Sequence, residues 1–123
     1  MLHEVSQVRQ VVNENPRRWF SSSDMDLTVW FDKHGTISGF ELCYDKEKNE
    51  RAVRWLRDAG FIHERVDDGE GSPGRFKGTP ILVPDGLFPA QVIAERFRGE
   101  SSRIDQTIAV FVYGKLLEYP AGR

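Results

Sequence analysis

A chain of 123 residues, 39% hydrophobic and 29% charged, has the length of one ordinary domain and enough apolar residues to bury a core without disulfides or a structural metal. Its formal charge of −2 excludes a strong global pull towards nucleic acid or anionic membrane, and the composition lies far from the disordered signature. The single cysteine, Cys43, excludes an intrachain disulfide, and no apolar run approaches the roughly 20 residues needed to cross a bilayer. Because Met1-Leu2-His3-Glu4 does not begin a signal peptide, a cytoplasmic protein is expected.

Residues 1–16 carry Val5, Val8, Val11 and Val12 at spacings that suit a short amphipathic helix, although the β-branched valines suit an extended arm as well; Pro16 ends either one. In residues 27–44, two runs rich in β-branched and aromatic residues flank Asp32-Lys33-His34-Gly35, the pattern of a β-hairpin. Alternation sends Phe40, Leu42 and Tyr44 to the core face and Gly39, Glu41 and Cys43 to the other. Residues 46–60 allow an amphipathic helix through Ala52, Trp55, Leu56 and Ala59. However, Trp55 to Ile62 echoes Trp30 to Ile37, and that repeat favours a second hairpin.

The stretch 67–86 is dense in glycine and proline and reads as a long loop, within which only Ile81-Leu82-Val83 suits a short strand or a buried crossing. Pro89 is placed to open a helix that ends near Gly99. Ser102-Arg103-Ile104-Asp105 resembles a capping box, and Ile104, Ile108, Phe111, Val112 and Leu116 then form a helical stripe, so residues 102–119 are expected to form a C-terminal helix; the rival is a strand over 107–113. Together these elements define a single α+β domain, an antiparallel β-meander of about four to five strands packed with C-terminal helices.

The segments Trp19-Phe20-Ser21, Asp26 to Asp32, Gly39 to Lys46, Glu50-Arg51-Ala52, Trp55 and His63 to Glu70 together resemble an uncharacterised family of small bacterial proteins. The likeness covers about half the chain and implies no known activity.

Chemistry-bearing residues concentrate around one strand end. His63, Asp67, Asp68 and Glu70 combine an imidazole with carboxylates, a donor set suited to a divalent cation or to acid–base work. Yet strand alternation separates His63 from Glu64, a zincin needs a second histidine one helical turn away, and Asp and Gly are ordinary turn residues. A solvated turn is the favoured reading, with no metal and no cofactor. Arg75 and Lys77 follow in the glycine-rich run 69–78, where an anion could be cradled; the GxxxxGK[ST] order is missing, and a linker loop is favoured.

Arg17-Arg18-Trp19-Phe20 mixes cations and rings as single-strand nucleic-acid platforms do, but the charge balance speaks against that partner. Trp19, Trp30 and Trp55 read as core anchors, Cys43 as a structural thiol beside Glu41, and Ser21-Ser22-Ser23 as a turn. The favoured function is a non-enzymatic binding or interaction module that engages a protein partner or a second copy through a sheet face, its long loop or exposed aromatics. The alternative is a small enzyme or a ligand- or metal-binding protein using residues 63–70.

Overall fold

The computed structural model describes residues 1–6, 16–67, 81–84 and 87–120. Seven antiparallel strands form one sheet in simple chain order: β1 (His3–Glu4), β2 (Arg17–Ser21), β3 (Asp26–Phe31), β4 (Ile37–Tyr44), β5 (Arg51–Leu56), β6 (Gly60–Asp67) and β7 (Ile81–Pro84). Helices α1 (Ala90–Glu100) and α2 (Gln106–Leu117) follow and pack against each other. The α+β meander expected from the sequence is present. Its strand count exceeds the expected four or five, since six strands run four residues or more and β1 adds a two-residue edge.

Local chemistry sets each turn. Between β2 and β3, the Ser22 hydroxyl accepts the Met25 N–H at 3.0 Å and the Asp24 N–H at 3.3 Å, closing a serine turn. Between β3 and β4, the Asp32 carboxylate accepts the N–H groups of His34 (2.8 Å) and Thr36 (3.0 Å), and Gly35 takes φ +82°. Positive φ at Asp45 and Asn49 turns β4 into β5 and rules out the helical alternative for this charged run, so the second hairpin is the outcome. That hairpin pairs Arg51–Leu56 with Gly60–Arg65 and turns at Gly60.

Register then sorts the side chains. Phe20, Leu27, Leu42, Val53 and His63 form one row across the sheet, and Arg18, Val29, Phe40, Trp55 and Phe61 form the next. This face carries the helices: Phe111 lies edge-on to Trp55 at 5.5 Å, and Tyr119 lies 5.2 Å from Phe61. Ile93, Ala94 and Phe97 of α1 and Ile108, Ala109, Val112 and Leu116 of α2 complete the core. A bulge at the end of β3 pairs Phe31 with Ile37 directly after Trp30 with Gly39, and it brings Ile37 into the core.

Two sequence expectations need correction, the start of the C-terminal helix and the place of the tryptophans. The C-terminal helix starts at Gln106, not Ser102: Asp105 is its N-cap and accepts the Thr107 N–H at 2.9 Å, while Ile104 is buried ahead of the first turn. The described part of 1–16 holds the extended strand β1, and residues 7–15, with Val8, Val11 and Val12, lie outside the described residues. Of the three tryptophans only Trp55 joins the core; Trp19 and Trp30 sit on the opposite face of the sheet. Ile81–Pro84 does form a strand, pairing with β6, whereas 68–80 of the expected loop lie outside the described residues.

Candidate functional site

His63 follows the β6 alternation onto the helix-bearing face and is only 6% exposed. Its Nε2 is hydrogen-bonded to the Tyr44 hydroxyl at 2.5 Å, the two rings stack at 6.0 Å, and Phe88 (5.1 Å) and Tyr119 (6.5 Å) close around it. A polar ring in a core costs little when it is hydrogen-bonded, which is the role this geometry gives His63. Glu64 pairs with Ala52 on the opposite face, as alternation requires. Asp67 ends β6 opposite Ile81; its side chain, and Asp68, Glu70, Arg75 and Lys77, lie outside the described residues. Among the described residues, no group of three or more His, Cys, Asp or Glu side chains is placed to hold a metal ion.

Cys43 is partly buried on the helix-free face. Burial, reinforced by the carboxylates of Glu41, Glu50 and Asp26, pushes its thiol up to about 12, the opposite of what a nucleophile needs.

A groove of about 480 Å³ runs beside the start of α2, with Phe31, Ile37, Ile108 and Phe111 along it and Arg18, Asp105 and Thr107 at its polar end. There Arg18 holds Glu4 through two hydrogen bonds (2.7 and 2.8 Å) and Asp105 through a third (3.3 Å). Glu4 is kept below the usual carboxylate range chiefly by Arg18, and Asp105 chiefly by the Thr107 N–H and then by Arg18. Near the far edge of the core, Arg96 of α1 bridges Asp24 and Asp45, tying the helix to two hairpin turns.

The helix-free face is the site the sequence reading missed. Two rows cross it: Trp19, Thr28, Glu41, Arg54 and Ile62, and beside them Arg17, Trp30, Gly39, Leu56 and Gly60. Trp19 is 38% exposed and Ile62 is 39% exposed, while Trp30 and Leu56 are half-buried. Arg54 is held by Glu41 at 2.8 Å, and Lys46 by Asp26 at 2.9 Å. Cross-strand pairing puts the two tryptophans on neighbouring strands, one residue pair apart on the same side. The signal was present in the alternation of β3, where Thr28 and Trp30 oppose Leu27 and Val29, but both sets contain large apolar residues.

A scan against protein-family models, a search of curated proteins and a search of solved structures each returned no match.

Proposed function

We propose that this chain is a non-enzymatic interaction module that takes a protein partner on the helix-free face of its sheet. The observation that carries this reading is the pair Trp19 and Trp30 on adjacent strands of that face, with Trp19 more than a third exposed. A tryptophan buries a large apolar area at an interface and is the residue type most often found at its energetic centre. Ile62 and Leu56 extend the apolar ground towards β6, and the Arg54–Glu41 pair supplies a polar break. A nucleic-acid platform needs cations available to phosphate; here Arg54 and Lys46 are already held by carboxylates. The test is cross-linked capture from cells expressing the tagged chain, with Trp19→Ser and, as a helix-side control, Val92→Ser. The partner should be lost with Trp19→Ser and kept with Val92→Ser. Retention by the Trp19 variant, or a captured species that nuclease removes, contradicts the proposal.

The groove beside α2 favours a second reading, a small amphipathic ligand, since its volume falls within the ordinary range for ligand sites. Fragment screening by NMR decides it: shifts confined to Phe31, Ile37, Ile108 and Phe111 support that reading, and their absence rejects it.

A further inference from the structure

We infer that the groove beside α2 takes a small molecule with an apolar ring and a protonated amine head, the ammonium lying against Asp105. This rests on the ligand reading of the groove and names the ligand's chemistry. Phe31 and Ile37, at the two ends of the β3–β4 turn, supply one wall, and Ile108 and Phe111 of α2 supply the other, around a space of about 480 Å³. Phe31 and Phe111 are half-buried, so each keeps ring surface for a ligand to cover. The space accommodates a one-ring molecule.

Charge selects the head group. Among the described residues Arg18 is the one cation lining the groove, and all three of its nitrogens already donate to carboxylates: Nε and Nη2 to Glu4, Nη1 to Asp105. A ligand carboxylate or phosphate would have to displace one of these partners against the repulsion of the other. One guanidinium against two carboxylates leaves the polar end of the groove with an excess of negative charge. Both carboxylates stay ionised, Glu4 chiefly through Arg18 and Asp105 chiefly through the Thr107 N–H.

Of the two, Asp105 is the one that lines the groove. Its side chain is 39% exposed and its contact with Arg18 is the longest of the three, at 3.3 Å, so it keeps room to accept an N–H from a ligand. Asp105 also takes the Thr107 N–H at 2.9 Å, and its negative charge offsets the positive end of the α2 dipole that would otherwise repel an ammonium. Lys115, whose Nζ lies 5.7 Å from the Phe111 ring centre, is drawn to Trp55 at 4.7 Å and does not line the groove.

Three probes that share one ring and differ in the head test the inference: phenethylamine, phenethyl alcohol and hydrocinnamate, each titrated into the isotopically labelled full chain and followed by NMR. The amine should bind about tenfold or more tightly than the other two, as a charge-assisted hydrogen bond provides, with shifts at Ile37, Asp105, Ile108 and Phe111. Asp105→Asn retains a good helix cap, so its circular dichroism should be unchanged while its preference for the amine over the alcohol disappears. Amine binding no tighter than that of the alcohol or of hydrocinnamate overturns the ammonium head and leaves the groove a ligand site. An amine preference that survives Asp105→Asn overturns the role of Asp105 and with it the inference. If none of the three probes shifts these residues, the inference and the ligand reading fall together.

Discussion

Replacing Gly39 with alanine probes how tightly β4 lies against β5. An added Cβ would stand 2.7 Å from Leu56 Cδ2 and 2.8 Å from the Trp55 carbonyl oxygen, both inside any ordinary contact distance. The leucine methyl ends a half-buried side chain and can swing away. The carbonyl cannot, because Trp55 is paired with Phe40 in the ladder of two central strands. Relief therefore has to come from the backbone, and overpacking of this kind costs about 1–3 kcal/mol. For a chain of this size that corresponds to a fall in thermal midpoint of roughly 4–12 °C, a substantial part of an ordinary domain's stability. Urea unfolding followed by tryptophan fluorescence measures it, with an unchanged m-value showing that only the native state is affected. Adding Leu56→Ala in the same chain should not restore stability, since the carbonyl contact persists. Wild-type stability in Gly39→Ala would refute the close approach of these strands.

The remaining predictions use other parts of the structure. With its thiol raised to about 12, native Cys43 should react with a disulfide reagent at pH 8 on the order of 100-fold or more slowly than in denaturant; equal rates would refute its burial. Tyr44→Phe removes the hydroxyl partner of buried His63 and should cost about 1–3 kcal/mol in urea unfolding, so a neutral effect would show that the pair is not structural. Glu4 and Asp105 have lowered values in the folded chain, so the stability they contribute is present above their unfolded values and is lost as pH falls below about 4. Arg18→Met should flatten that acid limb, and an identical pH profile for variant and wild type would contradict the assignment.

How much of this was legible in the sequence depended on how local the determining chemistry is. Both central hairpins could be read because their turns are written in adjacent residues: Asp32 caps its own loop, and Gly35 and Gly60 supply positive φ. The strands β1 and β2 were missed because what defines them is pairing with a neighbour, and β7 was legible only as a short strand or a buried crossing. Pro84 at the sheet edge even disguises β7, since an edge strand tolerates a residue that donates no hydrogen bond. The start of α2 was misplaced because Ser102 and Asp105 are both good caps; the burial of Ile104 decides between them, and burial is a tertiary property. The same limit hid the candidate site. Trp30 and Val29 are neighbours of similar apolar character, and only the helices, arriving sixty or more residues later in the chain and closing the core that holds Val29, leave Trp30 on the other side.

The partner surface can be tested most directly by site-specific photo-cross-linking. A photoreactive phenylalanine analogue would replace Thr28, at the centre of the helix-free face beside Trp19, and in a second chain Gln91, exposed on α1. The account predicts a protein cross-link from position 28 that is lost when Trp19 is changed to serine, and none to that protein from position 91. A cross-link from position 91 with none from position 28 would contradict it.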